Sequence, residues 1–219
     1  MSRLAVILFV IQLSSLALGN AASAKYADIA VDEKLGQTVP PNIEFRDETG
    51  RTVNLQNLLD KPLIVAPVYF HCAHVCPLLL NGLADALGKM DLVQAGRDYR
   101  VAALSFDGSE TPDLAREKKP NYLAAIGKPF PPEAWLFLTG DGMNISRFTD
   151  AVGYRFQRDG DNFSHPVALI VLSPGGKVAR YLYGTTFLPF DLTMAITEAA
   201  AGKTGTTTTR ILSYCFSYD

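Results

Sequence analysis

Apolar residues along the chain gather into short continuous runs, separated by segments in which they recur at helical spacing. Leu63-Ile-Val-Ala-Pro-Val-Tyr-Phe70 is a continuous run, the pattern of a strand buried on both faces, with Pro67 as its one irregular position. From Cys76 to Met90, the leucines 79, 80, 83 and 87 share one helix face. Tyr99 to Phe106 predicts a second buried strand. Asp107 to Pro112 predicts a turn, with Thr111 and Pro112 as N-cap and first residue of a helix reaching Ile126. Trp135 to Leu138 predicts a third strand, and Asn144 to Val152 a helix. His165 to Leu172, a Ser173-Pro-Gly-Gly176 turn and Lys177 to Leu182 predict a hairpin, and Asp191 to Ala201 a last helix. Upstream, Arg51 to Leu55 follows a Glu48-Thr-Gly50 turn and reads as a short strand entering a helical turn. Strands that alternate with helices and close on a hairpin describe a mixed α/β sheet with helices on both faces.

The two ends read differently. Arg3, the apolar run Leu4 to Leu18 and the small residues Ala22-Ser23-Ala24 have the layout of a secretory signal peptide. That run is shorter than the roughly 20 residues that span a bilayer, so cleavage is expected rather than retention as an anchor. Residues 1–24 are therefore set apart from the fold. Residues 25–42 read as a flexible lead-in, 43–201 as one domain, and 202–219 as a linker and tail, with Ile211 to Asp219 resembling the start of a strand. At 219 residues the chain suffices for one well-buried domain.

Composition narrows the function classes. Apolar residues make up 48% and charged residues 19%, a globular balance. The formal charge is −2 and no Lys/Arg cluster stands out, which argues against nucleic-acid binding. Three cysteines are present, Cys72, Cys76 and Cys215. A disulfide-stapled secreted domain carries several widely spaced pairs, whereas a bridge across four residues closes almost no loop. The close pair therefore points to chemistry.

Tyr69-Phe-His-Cys-Ala-His-Val-Cys-Pro77 sits where a buried strand ends and a helix begins. Free backbone N–H groups and the helix dipole favour an anion there, so a thiolate is stabilised. The spacing of four puts Cys72 and Cys76 near one face of the first turn, able to meet one soft metal ion or each other. The bland alternative is that both fill space, as buried cysteines do well. Two of the three histidines, His71 and His74, fall in the same segment, which favours chemistry. The third, His165, lies in Asn162-Phe-Ser-His-Pro166. A lone histidine before a strand is commonly structural. In a thioredoxin-like arrangement, however, the loop before this strand packs against the cysteine helix, and the residue before the proline faces the sulfurs. On that arrangement the His165–Pro166 bond is expected to be cis.

Cys72-Ala-His-Val-Cys76-Pro77, the distant His165, and Ala102 to Asp107 followed by Thr111-Pro112 together resemble the Sco/SenC family, over roughly residues 40 to 200. The resemblance implies a thioredoxin-like fold, a central mixed sheet flanked by helices, and a copper site on Cys72, Cys76 and His165. It implies a metallochaperone for the binuclear copper centre of cytochrome c oxidase, with the copper-site subunit as partner and an upstream thiol reductant or copper donor. Two thiolates and an imidazole suit Cu(I), and Cu(II) with a further ligand. Zn²⁺ in a structural site takes four ligands, the fourth from His71 or His74. An exported protein on the extracytoplasmic, periplasmic side fits such a target.

The rival reading is a thiol-disulfide oxidoreductase that reduces the cysteines of the apo copper site, with Cys72 attacking and Cys76 resolving. A peroxidase would need a cation beside a single activated thiolate, and no Arg lies close in sequence to Cys72. Gly202-Lys-Thr204 lacks the upstream glycine and strand of a phosphate loop. Asn144-Ile-Ser146 and Asn162-Phe-Ser164 match the glycosylation pattern, a match that short motifs make by chance. The four methionines do not cluster as in a Met-rich copper carrier. Asp107 reads equally as a residue behind the metal or as a turn residue before the Thr111 helix.

Overall fold

The structure, a computed structural model, describes residues 29–205. The expected signal peptide over 1–24 and the tail beyond residue 205, with Cys215, lie outside that range. The chain divides into two compact units, whose described parts are residues 32–154 with 167–205, and residues 29–31 with 155–166. In chain order the strands are β1 (Ala30–Val31), β2 (Glu44–Arg46), β3 (Thr52–Asn54), β4 (Leu63–Val68), β5 (Arg100–Ser105), β6 (Trp135–Leu138), β7 (Tyr154–Arg155), β8 (Gln157–Asp159), β9 (Asn162–Ser164), β10 (Ala168–Leu172) and β11 (Val178–Tyr183). The helices are α1 (Val75–Gly88), α2 (Pro112–Ala125), α3 (Gly142–Ala151) and α4 (Pro189–Ala200). Among the described residues no helix is long and apolar enough to cross a membrane.

The larger unit is built on a five-stranded sheet in the order β11-β10-β4-β5-β6. β4, β5 and β6 are parallel neighbours, while β10 runs antiparallel to both β4 and β11. β4 and β10 are buried at every position, as their continuous apolar runs require. Pro67 is compatible with a central strand for a specific reason. The bonds Arg100 N–H to Pro62 O and Phe106 N–H to Val68 O show that even-numbered residues of β4 face β5. Pro67 therefore faces the opposite edge, where pairing with β10 runs only from Leu63 to Val65, and its missing N–H costs no ladder bond.

The crossovers from β4 to β5 and from β5 to β6 carry α1 and α2, which pack side by side; α4 packs beside α1 and against β10 and β11. The approach of α1 to the segment before α4 is so close that a Cβ on Gly82 would lie 1.7 Å from the Thr185 carbonyl oxygen. α3 packs on the β2–β3 hairpin through an edge-on contact of Phe148 with Phe45, 6.0 Å between centroids. Residues 34–39 run along the β10–β11 turn, where Gly36 N–H bonds Val178 O and Val39 N–H bonds Gly176 O. The Tyr181 hydroxyl donates to Val152 O at 2.7 Å and accepts from Lys34 N–H at 3.0 Å. The arrangement is the expected thioredoxin-like α/β fold.

The smaller unit holds the antiparallel hairpin of β8 and β9. Arg158 lies over the Phe163 ring at 4.3 Å, and Phe156 meets the same ring edge-on. His165 and Pro166 close the unit.

Candidate functional site

The cysteine loop begins where β4 leaves the sheet. Two backbone N–H groups at that point, those of Phe70 and His71, both donate to the carboxylate of Glu110, at 2.8 and 2.7 Å. Ser105, the last residue of β5, donates its hydroxyl to the same carboxylate at 2.6 Å. Glu110 is itself 6% exposed, so one buried carboxylate ties the ends of two parallel strands together just before Cys72. The sequence pattern did not single it out. The available clue was an acidic residue inside the tight turn that follows a fully buried strand.

Cys72 and Cys76 are both buried free thiols, and their sulfur atoms lie within 4.8 Å of each other. α1 starts at Val75 with His74 as N-cap, and His74 makes no side-chain cap. Its backbone N–H bonds the Cys72 sulfur instead, at 3.4 Å. Burial opposes ionisation of Cys72. Hydrogen bonds from the backbone N–H groups of Cys76 and His74, from the Tyr69 hydroxyl and from the Cys76 thiol outweigh it, and hold the Cys72 thiol below its ordinary pKa. Cys76 goes the other way. Burial pushes its thiol far up, a hydrogen bond with the Tyr69 backbone works against that, and the negative charges of Cys72 and Glu110 add to the rise. The two thiols are therefore driven apart, Cys72 toward the thiolate and Cys76 toward the protonated form.

The wall behind the pair is aromatic. Tyr69 packs on Phe106 at 5.7 Å between centroids, and Phe106 on Tyr154 at 5.9 Å. The Tyr154 hydroxyl is pushed up by complete burial and then by the charge of Cys76, and Tyr122 shows the same two causes. Such a wall excludes water and strengthens every charge interaction of the sulfurs.

His165, in the smaller unit, is half-buried, and burial lowers its pKa against a smaller opposing effect of its bond to the Pro166 carbonyl. Nδ1 lies 2.8 Å from that carbonyl oxygen, which can only accept, so the neutral ring carries its proton on Nδ1 and its lone pair on Nε2. This is the tautomer that a metal-binding imidazole adopts. The cis expectation is corrected: the His165–Pro166 bond is trans, the form favoured by about 0.5–1 kcal/mol where nothing selects the other.

The remaining candidates separate clearly. The His71 ring is 71% exposed, with Nδ1 3.1 Å from Glu110 Oε1. His74 is exposed at the helix start. Asp107 accepts the N–H and hydroxyl of Ser109 at 2.9 and 2.7 Å within the turn before α2. Thr111 caps α2 through Leu114 N–H, as its sequence position predicts.

No curated protein matches the chain. Among solved structures, one from Aquifex aeolicus VF5, of a protein assigned provisionally to electron transfer, is 30% identical over 78% of this chain and 96% of its own, with a TM-score of 0.69. Arabidopsis thaliana ScoI with copper bound aligns over 73% of this chain and 96% of its own at 19% identity and a TM-score of 0.58. BsSco, a member of the Sco family of cytochrome c oxidase assembly proteins described with a disulfide switch, aligns over 80% and 99% at 22% identity and a TM-score of 0.60. The last two share the fold. The family model SCO1/SenC matches residues 31–201, a span that contains β4, the cysteine loop, α1 and His165. On that match this chain belongs to the SCO1/SenC family.

Proposed function

We propose that this protein is an exported metallochaperone that holds one copper ion on Cys72, Cys76 and His165, each offering one ligand atom, and passes it as cargo to the copper-site subunit of cytochrome c oxidase during assembly. The observation that carries the reading is the buried pair of sulfurs at the start of α1, one of them held below its ordinary pKa by hydrogen bonds, in a chain of the SCO1/SenC family. Two thiolates and an imidazole form a soft three-ligand set that suits Cu(I). The copper-bound ScoI of Arabidopsis and the assembly role given for BsSco support copper as cargo and the oxidase as destination. Export through residues 1–24 belongs to the same reading, since the target's copper centre lies outside the cytoplasmic membrane. A reductant or copper donor upstream supplies the reduced, loaded form.

The asymmetry of the thiols favours a second reading, reduction of the target's own disulfide. Cys72 thiolate would attack one target sulfur and release the other as thiolate. Cys76 would then lose its proton and attack the Cys72 sulfur, so that a Cys72–Cys76 disulfide forms, the second target thiol leaves, and two electrons pass to the target. Titration of the reduced domain with Cu(I) against a competing chelator separates the two. One tight equivalent, lost in Cys72→Ser/Cys76→Ser and strongly weakened in His165→Ala, supports the chaperone. Absence of tight binding together with a readily cycled disulfide supports the reductase, and His165→Ala then retains thiol exchange.

A further inference from the structure

Beside the buried cysteines stands an imidazole that neither reading uses. His71 precedes Cys72 directly, its ring is 71% exposed, and its Nδ1 is 3.1 Å from a carboxylate that is itself completely buried. Glu110 is already anchored by Phe70 N–H, His71 N–H and the Ser105 hydroxyl. Its position is therefore fixed independently of the His71 ring. A carboxylate oxygen facing a ring nitrogen requires the proton there, which leaves the lone pair of the neutral ring on Nε2. A carboxylate behind one nitrogen and a lone pair on the other is the arrangement of metal-ligating histidines, in which the acid fixes tautomer and orientation and raises ligand basicity. Here Nε2 belongs to an exposed ring on the residue that precedes Cys72, and both sulfurs are buried.

We infer that His71, oriented by Glu110, is a transit ligand: its Nε2 takes the copper ion from a donor, or toward an acceptor, while the ion's bonds to Cys72 and Cys76 form or break. This inference rests on the copper reading above. The step is ligand exchange without change of oxidation state. One Cu–N bond to His71 forms as one bond to the outside ligand breaks, then yields to a Cu–S bond, and the Cys76 proton leaves to solvent. A ligand used only in passage lowers the barrier in both directions. Loading and release therefore slow together when it is removed, and affinity holds.

His71→Ala tests this on the reduced protein, with Cu(I) supplied and withdrawn by a small-molecule chelator. The exposed position makes the substitution safe for folding. Loading and release are both expected to slow about tenfold, the lower end of what loss of an outer-shell partner costs a metal site. Equilibrium affinity is expected to stay within about threefold, below the roughly tenfold or more that loss of an outer-shell partner costs. Unchanged rates overturn the inference, and so does faster release with matching loss of affinity, which would make His71 a resident ligand. A readout without copper is the ¹⁵N–¹H correlation of the neutral His71 ring, which reports the tautomer directly. The proton is expected on Nδ1, and a proton on Nε2 overturns the orientation. Tight binding with unchanged rates removes this inference alone, whereas no tight binding in the unmutated protein removes the copper reading with it.

Discussion

Two strand-to-helix junctions of the larger unit solve the same problem with different atoms. At the start of α3, Asp141 is the N-cap and its carboxylate accepts from Asn144 N–H at 2.8 Å and from the Asn144 side chain at 2.9 Å. At the start of α1, the cap position belongs to His74, which caps nothing, and the exposed ends of the helix backbone turn to the sulfur of Cys72. A carboxylate is ionised throughout the neutral range and stays a strong acceptor. A thiol is a strong acceptor only as thiolate. The first junction is therefore a permanent fastening, while the second makes its fastening depend on the state of a reactive group. Helix α1 gives up an ordinary cap, and the N–H groups so released stabilise the nucleophile or ligand. The second junction also has support from beneath, because Glu110 holds the strand end that leads into it.

That support gives the largest expected effect. Glu110→Ala leaves the buried Phe70 N–H without its acceptor, leaves the Ser105 hydroxyl only the long bond to the Asp107 carbonyl at 3.4 Å, and deprives His71 N–H, which water reaches more easily. At 1–3 kcal/mol for each buried unsatisfied group, the loss should be about 3 kcal/mol, read as a shift in the denaturant midpoint at constant slope. A shift below about 0.5 kcal/mol would mean that the strand end repacks with water and that the carboxylate is dispensable to the fold.

The contrast between the two thiols comes next. The thiolate is the nucleophile, so alkylation speeds up as pH rises through the thiol's pKa and then levels off. Cys72, held below its ordinary value, should level off early, and Cys76, pushed far up, should still be climbing at the alkaline end. Near neutral pH, mass-spectrometric mapping after a short pulse of alkylating reagent should find Cys72 modified more than about tenfold faster, equivalent to one pKa unit or more between them. Equal rates, or a Cys72 midpoint at or above that of a free thiol, would remove the asymmetry on which the reductase reading depends.

The elements of this fold were legible because their patterns are local. β4 and β6 announce themselves as unbroken apolar runs and β5 through its apolar centre, Val101 to Leu104, Thr111-Pro112 marks the start of α2, and the spacing of Leu79, Leu80, Leu83 and Leu87 gives the buried face of α1. Cys72 and Cys76 were legible for the same reason, as two ligand-type residues at a strand-to-helix switch. The β2 strand was missed because Glu44-Phe-Arg46 has a single apolar residue, Phe45, whose ring partner Phe148 is distant in sequence. The β8–β9 hairpin was missed because three of its residues, Gln157 to Asp159, are all exposed and carry no burial pattern. Glu110 was invisible on other grounds. Its partners Phe70, His71 and Ser105 come from two strand ends that only the parallel pairing of β4 and β5 brings together. The path of residues 34–39 is fixed likewise by backbone bonds to residues 176–178, which no side-chain pattern reports.

The smallest expected effect separates the two helix starts along the pH axis. The Asp141 carboxyl is held below its ordinary pKa by Asn144 N–H first and then by the Asn144 side chain. A pKa lower in the folded than in the unfolded chain means that the group adds stability above the unfolded value, about 3.9, and loses it as pH falls through the folded one. The melting temperatures of the unmutated protein and Asp141→Ala should therefore differ at neutral pH and converge in acid, below about pH 4. Cys72 obeys the same sign with a different ordinary value, about 8.5. Its contribution is complete only above that value and fades as pH falls through the lower folded pKa. The melting temperatures of the reduced protein and Cys72→Ser should thus diverge with rising pH across the neutral to alkaline range, while those for Asp141→Ala stay a constant distance apart there. A Cys72→Ser difference that ignores pH would show that α1 is fastened by its packing alone, and that the N–H groups at its start serve the sulfur without the sulfur serving the helix.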